Sequence, residues 1–273
     1  MKTITTHCAL RLGDNLAHVH FLRKLAEANP GHCFEHHLHA EYIRELEAMT
    51  LDLPIKLVAL PETFGSMHWF AKPRVPSIDA WKNTGDRYER ADRATRNNYA
   101  TFILDWFRIL ASQMGLRSAL STPRDLLFDY PALQNKSPDY EENRKLDFLV
   151  VNARPLSGQA SEYRPSEMDQ LILDLRERGY SLMATNRFSG AGYLATEDLH
   201  WTVTQIGQLS QRCRRILMVS TGPSWPTFNI WNRKTVELRV IINGLEKVDL
   251  DPEAIHANNV DGVRSVLKAK GLL

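Results

Sequence analysis

The sequence predicts an α/β protein made of two domains, each built on a parallel sheet, that face each other across a cleft. Apolar runs of strand length alternate with segments of helical period along most of the chain, which is typical of parallel α/β folds. A turn containing glycine follows a strand and precedes a helix twice, around Gly13 and around Gly222. A chain of 273 residues can form one large α/β domain or two domains of about 130 residues each, and the repeated turn favours two.

The first elements alternate strand and helix. We predict a strand over Thr3–Leu10 and then an amphipathic helix over Asn15–Ala28, which Asn29-Pro30-Gly31 ends. The following elements are a strand at His32–His39, a helix at Glu41–Met49 and a strand at Ile55–Leu60. This βαβαβ order favours a parallel sheet with right-handed crossovers.

The middle of the chain contains a long irregular stretch and a candidate linker. Pro61 to Gly85 is rich in Pro, Gly and Trp and has no clear period, so we predict a functional loop and not a core element. An apolar helix is predicted over Asn97–Met114. Because the chain then becomes polar and rich in proline, Gln134–Arg144 is the best linker candidate. The predicted domains are residues 1–138 on the acceptor side and 139–273 on the nucleotide-sugar side.

The second half repeats the alternation. The clearest helix is Pro165–Arg178, in which apolar residues recur at i, i+3, i+4 and i+7 from Met168 until Gly179 stops it. The other predicted elements are strands at Leu146–Asn152, Ser181–Thr185, Ile216–Val219 and Thr235–Ile242, a loop at Arg154–Tyr163, and helices at Thr202–Arg212 and Asp261–Lys270.

Composition excludes several classes of protein. Hydrophobic residues make up 43% of the chain and charged residues 24%, which is ordinary for a soluble globular protein and excludes a disordered or collagen-like chain. The formal net charge is only +2, and the basic residues near Arg87 alternate with acids. Because nucleic-acid binding needs a larger and more one-sided basic surface, we expect no nucleic-acid partner.

Cysteine usage and hydropathy indicate the compartment. Cys8, Cys33 and Cys213 are too few and too scattered for a disulfide framework or a paired-cysteine zinc site, which fits a reducing environment. The first residues lack the apolar core of a signal peptide, and no run approaches the 18 or more apolar residues of a membrane span. We therefore expect a cytoplasmic protein without a transmembrane segment.

Short motifs in both halves resemble one family. Gly13-Asp14 after the first strand, followed by Leu-x-x-x-x-Phe-Leu-Arg-Lys-Leu, resembles the opening of the heptosyltransferase-like glycosyltransferases, the family of the ADP-heptose:LPS heptosyltransferases. Thr202–Ser210 is similar to the helix before that family's late strand. Ser220-Thr-Gly-Pro-Ser224 is similar to its Asp-Thr-Gly-Pro-Ser-His turn.

The resemblance implies a GT-B fold, two Rossmann-like domains with an active cleft between them. It implies an enzyme that moves a sugar from a nucleotide-sugar donor to a saccharide or glycan acceptor, with Asp14 as the general base. The turn matching Thr221 and Gly222 would hold the donor's diphosphate. The chain departs from the pattern because Ser220 replaces the usual acid and Trp225 the usual histidine.

Two alternatives use the same architecture. The lost acid and histidine, together with the absence of a lysine after the strand that ends near Asn152, also fit a non-catalytic protein that binds a sugar nucleotide or a glycan. A sugar-nucleotide epimerase is a further possibility. Turnover with a nucleotide sugar separates these hypotheses.

The candidate catalytic residues are Asp14 and His18. Asp14 at a helix N-terminus is equally the expected N-cap, and that position would lower its carboxyl pKa although a general base benefits from a pKa nearer neutrality. His18 lies one turn later and could share or relay the proton, although a buried structural role explains it as well.

The candidate donor site consists of backbone donors and one cation. A glycine and a helix N-terminus allow a diphosphate to approach main-chain N–H groups, and arginine binds phosphate well. Arg154 is the nearest cation after its strand, although an ordinary surface turn explains it equally. The predicted donor-binding residues are Gly13, Arg154, Ser220, Thr221, Gly222 and Ser224.

The remaining candidates concern the acceptor and metals. Trp69 and Trp81 lie in a loop without periodicity, where aromatic rings suit stacking against a sugar, so we assign them to acceptor binding. The histidines between His32 and His39 could suggest a metal, but no third ligand follows at a recognisable spacing. Asp249-Leu-Asp251 precedes Pro252 and fits a turn better than a cation site. We therefore expect no metal, and no cofactor besides the nucleotide-sugar co-substrate.

Overall fold

The computed structural model describes residues 1–61, 74–80, 99–118, 120–134, 145–155, 160–188, 192–243, 251 and 253–273. The chain forms two compact units, unit 1 over Met1–Ala132 and unit 2 over Leu133–Leu273. Each unit is an α/β fold with one parallel sheet, as the sequence predicts. The predicted linker and the boundary after residue 138 lie, except for Gln134, outside the described residues, so that boundary stays a prediction.

Unit 1 contains a four-stranded sheet in the order β3-β2-β1-β4, with every neighbouring pair parallel. The strand order reverses at β1, because β2 and β3 extend the sheet on one side and β4 on the other. The described elements are β1 (Lys2–His7), α1 (Leu12–Ala28), β2 (His32–Leu38), α2 (Ala40–Leu46), β3 (Ile55–Ala59), β4 (Ile78–Asp79) and α3 (Tyr99–Gln113), with 3-10 turns at Glu47–Met49 and Pro123–Leu126. The short helix α4 (Pro131–Gln134) spans the division between the units.

The start of the chain differs from the sequence-based expectation in one functionally important detail. Strand β1 ends at His7, and α1 begins at Leu12 and not at Asn15. Gly13 and Asp14 therefore lie inside the first helical turn. Hydrophobic periodicity located the body of this helix correctly but not its first turn, because the residues before Asn15 carry no apolar period.

Strand β4 overturns part of the loop prediction. Ile78–Asp79 lies within the stretch that we predicted to be a loop outside the core, yet it pairs with the end of β1, Thr6 with Ile78 and His7 with Asp79. A two-residue strand is too short for any alternation to indicate it in the sequence. Only pairing with the established edge of β1 makes it part of the sheet.

Helices α1 and α3 pack in the core of unit 1. The rings of Phe21 and Phe107 stack with centroids 4.5 Å apart, and both side chains are buried. Arg23 is also buried, with its guanidinium bonded to both carboxylate oxygens of Asp52 and to the carbonyl of Met49. This ion pair satisfies a charge that burial would otherwise make costly.

Unit 2 contains a five-stranded parallel sheet in the order β6-β5-β7-β8-β9. Here the order reverses at β5, because β6 lies on one side of it and the later strands lie on the other. The described elements are β5 (Leu146–Val151), α5 (Pro165–Glu177), β6 (Leu182–Ala184), α6 (Val203–Ser210), β7 (Cys213–Val219), β8 (Leu238–Ile242), β9 (Ile255–Ala257) and α7 (Val260–Ala269), with 3-10 turns at Thr196–Leu199 and Gly222–Thr227.

Two elements of unit 2 correct the sequence analysis. The segment after β7 is a six-residue 3-10 helix, Gly222–Thr227, and not the start of an α-helix. Pro226 lies inside it and cannot donate a backbone hydrogen bond, which favours this short form. The edge strand β9 was not predicted, since three residues, Ile255–Ala257, give no readable alternation.

No helix in the described parts of the chain combines the length and the apolar character that a membrane span requires.

Gly207 allows α6 to pack closely against the 3-10 helix. A methyl group at this position would lie 2.5 Å from Leu133 Cδ2 and 2.9 Å from Pro226 Cβ. We expect Gly207→Ala to lower the free energy of unfolding by about 1–3 kcal/mol through overpacking, measured by urea denaturation. Gly192→Ala is the control, since its methyl group would meet nothing within 4 Å. An unchanged midpoint for Gly207→Ala would contradict this account of the packing.

Candidate active site

The topology of each sheet defines where a ligand would be expected. In open parallel α/β sheets, ligands bind beyond the carboxyl ends of the strands, at the point where the strand order reverses. In unit 1 this point lies between the ends of β1 and β4, and in unit 2 between the ends of β5 and β7. The residues that follow these four strands are therefore the first candidates for a site.

Asp14 lies at the reversal point of unit 1 and caps the helix that follows β1. Its carboxylate Oδ2 accepts the backbone N–H of Arg11 at 3.2 Å. Asp14 is thus the third residue of the helix, reaching back to the residue before it, and not the N-cap that we expected from the sequence. Asp14 therefore both caps α1 and lies where a ligand is expected to bind.

The pKa of Asp14 is shifted in the direction opposite to our expectation. Burial raises the carboxyl pKa from 3.8 to about 6, although hydrogen bonds from the backbone N–H groups of Arg11 and Asp14 and the Arg11 charge lower it. The expected lowering by the helix N-terminus is present but is outweighed by desolvation. Sequence position alone does not reveal how far a carboxylate is removed from water.

Cys8 directly follows β1 at this edge of the sheet. The thiol is buried, and its pKa is raised well above the ordinary value by burial first and then by Asp14 and Asp79. A thiol in this environment stays protonated at neutral pH, so Cys8 is not an activated nucleophile. Asp79 is in register with His7, so it lies beside the end of β1 that leads to Cys8 and Asp14.

His18, the second candidate catalytic residue, lies in the core. Its side chain is fully buried, and neither ring nitrogen has a hydrogen-bond partner among the described residues. Burial, with a smaller contribution from His7, lowers its pKa to about 3. His18 therefore stays neutral at physiological pH, and this geometry gives no support to the hypothesis that it relays the Asp14 proton.

His36 packs against His18 and is held by a defined set of hydrogen bonds. The two ring centroids are 4.7 Å apart. Asn15 uses its Nδ2 for the carbonyls of Leu10 and Arg11, so its Oδ1 accepts from His36 Nε2 at 3.2 Å. His36 Nδ1 then accepts the Thr6 hydroxyl at 2.9 Å. Burial lowers the pKa of His36 well below its ordinary value.

His37 in β2 and His39 just after it have structural partners. His37 Nε2 lies 2.8 Å from Glu35 Oε1, and His39 Nε2 donates to the carbonyl of Ala9 at 2.8 Å. Within the described ranges, no three His, Cys, Asp or Glu side chains converge as a metal site would require.

The reversal point of unit 2 brings together candidate residues that are far apart in the sequence. Val151 is in register with Met218, so β5 and β7 leave the sheet side by side. Arg154, which is exposed, and Thr221 follow these strands at corresponding positions. Parallel pairing thus places the one predicted cation and the Ser220 to Ser224 turn at the same edge.

The turn after β7 uses its own hydroxyl groups. Ser224 is buried, and its hydroxyl donates to the Thr221 carbonyl at 2.7 Å while accepting the Thr221 N–H at 3.3 Å. The Thr221 hydroxyl donates to the carbonyl of Val219. The Ser224 hydroxyl is therefore used within the turn. Of the predicted donor-binding residues, Ser220, Thr221 and Gly222 directly follow β7.

Asn152 organises the end of β5, and sequence reasoning missed its role. It is fully buried, and its Oδ1 accepts the Thr185 hydroxyl and the Asn186 N–H while its Nδ2 donates to the Asn186 carbonyl. Tyr163 donates to its backbone carbonyl at 2.9 Å. A polar residue directly after the apolar run from Phe148 to Val151 was the available signal.

A buried arginine binds the last residue of the 3-10 helix Gly222–Thr227. Arg239 Nε donates to Asp251 Oδ2 at 3.0 Å, and Arg239 NH1 donates to the carbonyl of Thr227 at 2.9 Å. Asp251 also accepts the N–H of Glu253, which fits the predicted turn. Its main role, as the counter-ion of a buried guanidinium, was not predicted. Asp249 lies outside the described residues, as do the proposed acceptor residues Trp69 and Trp81.

Comparison with solved structures identifies the fold. The chain is similar to the E. coli heptosyltransferase WaaC with ADP-2-deoxy-2-fluoro heptose, with a TM-score of 0.57, 11% identity, and coverage of 98% of this chain and 99% of that chain. The same enzyme with ADP gives a TM-score of 0.56, 13% identity and 98% coverage of both chains. A family 9 glycosyl transferase from Veillonella parvula gives a TM-score of 0.53 and 10% identity, with coverage of 99% of this chain and 89% of that chain.

No protein-family model and no curated protein sequence matches this chain. The structural similarities therefore establish the fold and not the reaction. They confirm the predicted GT-B-like class, in which two Rossmann-like units carry parallel sheets. The cleft predicted between the units, and the roles of the site residues, stay predictions.

Proposed function

We propose that the chain is a glycosyltransferase that moves a sugar from a nucleotide-sugar donor to a saccharide acceptor without a metal ion. The observation that carries the proposal is Asp14, a carboxylate with a pKa of about 6 at the reversal point of the unit 1 sheet. The fold supports it, because the similar WaaC structures were solved with ADP and with an ADP-heptose analogue.

Asp14 has the properties of a general base in this scheme. With a pKa of about 6 it is mostly ionised at pH 7, yet it is more basic than an ordinary carboxylate. It takes the proton of an acceptor hydroxyl as the hydroxyl oxygen bonds to the anomeric carbon of the donor sugar. The bond from that carbon to the diphosphate breaks at the same time, and the diphosphate leaves with the electron pair.

The donor side of the proposal lies in unit 2. The exposed guanidinium of Arg154 and the backbone of Ser220, Thr221 and Gly222 share the edge at which a diphosphate would bind. Charge-assisted hydrogen bonds from these donors stabilise negative charge as the leaving group departs. In this scheme Ser224 holds the turn, and Gly13 leaves room for the donor beside Asp14.

The remaining parts complete the proposal. Unit 1 binds the acceptor, with Trp69 and Trp81 stacking on its sugar rings. The protein works in the cytoplasm, where nucleotide sugars are available and the three free cysteines stay reduced.

A nucleotide panel tests the donor site. We expect one of ADP, UDP, GDP or CMP to raise the melting temperature, with an affinity unchanged by a chelator in calorimetry. Arg154→Ala should weaken that affinity by about 10- to 100-fold, since a hydrogen bond to a charged group is worth about 1.5–3 kcal/mol. Arg178→Ala is the control, because this exposed arginine follows α5 at the opposite edge of the sheet. Loss of nucleotide binding on chelation would overturn the metal-free scheme.

Turnover separates this proposal from its alternative. Ser220 and Trp225 depart from the family pattern, which favours a non-catalytic sugar-nucleotide or glycan-binding protein as the second candidate. Incubation of the bound nucleotide's sugar conjugates with a panel of oligosaccharide acceptors distinguishes the two. Nucleotide binding without any sugar transfer or donor hydrolysis would favour the binding protein.

A further inference from the structure

Asp79 is a second carboxylate at the reversal point of unit 1. It ends β4 and is in register with His7, the last residue of β1, while Asp14 follows the same strand β1. Both carboxylates act on the thiol of Cys8. The Asp79 side chain is 37% exposed, so an incoming ligand can reach it.

The Asp79 carboxylate faces His7, and hydrogen bonds hold His7 and the backbone after Asp79 in place. His7 is only 5% exposed, its Nδ1 lies 2.9 Å from Ser77 Oγ, and its Nε2 lies 3.8 Å from Asp79 Oδ2. The backbone after Asp79 is fixed as well, because Ala80 N–H donates to the His7 carbonyl and the Trp106 indole N–H donates to the Ala80 carbonyl. An exposed carboxylate on a rigid and partly buried support is pre-organised for binding.

We propose that Asp79, positioned by His7 and Ser77, binds two neighbouring hydroxyl groups of the acceptor saccharide beside the hydroxyl that Asp14 deprotonates. A carboxylate has two acceptor oxygens, and a vicinal diol has two donors at a matching separation. This inference rests on the proposed function, because that function supplies the acceptor sugar that Asp79 would bind. It adds a polar contact to the acceptor site, for which the sequence indicated only aromatic residues.

The charge of the group favours a saccharide over a phosphate-bearing ligand. The negative charge of Asp79, with that of Asp14 nearby, opposes direct contact between the Asp79 carboxylate and the donor diphosphate, whereas neutral hydroxyl groups can donate to it. A cation is the other ligand that two carboxylates could attract. The test therefore includes a cation arm.

The first measurement is steady-state transfer by the full chain with an active donor and acceptor pair. We expect Asp79→Asn to raise the KM for the acceptor by about 10- to 100-fold, as loss of charge-assisted hydrogen bonds predicts, with the KM for the donor unchanged. An acceptor lacking one hydroxyl of the diol should lose affinity for the wild type but lose little more in Asp79→Asn. Asp105→Asn is the control, since Asp105 is exposed on α3 and pairs with Arg108.

The positioning role of His7 has its own readout. His7→Phe keeps a ring but loses both polar contacts, so the acceptor KM should rise while kcat changes less, and His7→Gln should restore part of the affinity. Thermal melting of each variant checks folding. If His7→Phe fails to fold, Ser77→Ala replaces it in the test. This variant removes the hydroxyl that contacts His7 Nδ1, and the same rise in acceptor KM is expected.

The outcomes distinguish this inference from the proposed function. Transfer by the wild type with an unchanged acceptor KM in Asp79→Asn overturns the inference and leaves the function intact. Binding of the wild type to an oligosaccharide array without transfer, lost in Asp79→Asn, supports the Asp79 site and overturns the transferase. Binding of Ca²⁺ or Mn²⁺ that depends on Asp79 and does not affect saccharide affinity would show a cation site instead.

Discussion

Asp14→Asn is expected to reduce glycosyl transfer by about 10²–10⁴-fold, equivalent to roughly 3–5 kcal/mol of activation barrier. An amide cannot accept a proton at neutral pH, so the general base is lost. Donor affinity should be unchanged, because the variant alters neither Arg154 nor the turn after β7. Steady-state kinetics with saturating donor gives the measurement.

The fold is expected to tolerate the change. The amide oxygen of asparagine can accept the Arg11 N–H as the carboxylate does, and a carboxylate whose ionised form is disfavoured by burial is replaced by a neutral group. Asp125→Asn is the matched control, since Asp125 caps a 3-10 turn in the same way by accepting the Thr122 N–H at 2.8 Å. That variant should lose some stability and keep its activity.

The pH dependence of transfer provides a second check on Asp14. A base must be deprotonated to act, so kcat/KM should fall below a pKa of about 6, and this acid limb should be absent from the residual activity of Asp14→Asn. Wild-type turnover in Asp14→Asn would leave Asp14 as a helix cap only. Another residue, or none, would then act as the base.

Acidification is expected to unfold unit 1 at a pH well above that at which ordinary carboxylates titrate. Burial lowers the pKa of His18 from 6.5 to about 3 and that of His20 to about 4, and it lowers the pKa of His36 well below 6.5. The unfolded chain therefore binds more protons than the folded chain as the pH falls from 6.5 towards 4. Stability is full above pH 6.5 and is lost through this window.

The expected effect is large compared with the stability of a domain. Each buried neutral histidine costs about 1.4 kcal/mol for every pH unit below 6.5, so His18 and His20 together cost about 5 kcal/mol at pH 4.5, and His36 adds to this in the same direction. Typical domains have only about 5–15 kcal/mol of stability. Asp14 acts in the opposite direction between pH 6 and 3.8, because its raised pKa lets the folded state take up one proton first.

Urea denaturation between pH 7.5 and 4.5 measures this dependence. His18→Leu should reduce the slope of stability against pH by up to one proton, and it removes two buried nitrogens that lack partners among the described residues. His200→Asn is the control, since His200 is exposed and its left-handed backbone, with φ of 53°, suits asparagine. An unchanged slope in His18→Leu would show that His18 is hydrated in solution and titrates normally.

Much of the fold was readable because hydrophobic periodicity is a local property. Helices such as Pro165–Glu177 and strands such as Leu146–Val151 agree with their predicted positions to within a residue or two. The βα alternation then requires parallel sheets, since short crossovers allow little else. Strands β4 and β9 escaped prediction because two or three residues carry no period, and pairing with a neighbouring strand alone makes them strands.

The sequence likewise determined where the candidate site residues lie but not what they can do. That Gly13 and Asp14, and likewise Ser220 to Gly222, follow buried strands is a property of the sequence by itself, because parallel strands present their carboxyl ends at one edge. Only the tertiary structure decided what these groups can do. The pKa of Asp14, the neutral state of His18, the internal hydrogen bonds of Ser224 and the pairing of Asp79 with His7 depend on burial and on contacts between distant segments, which local pattern does not encode.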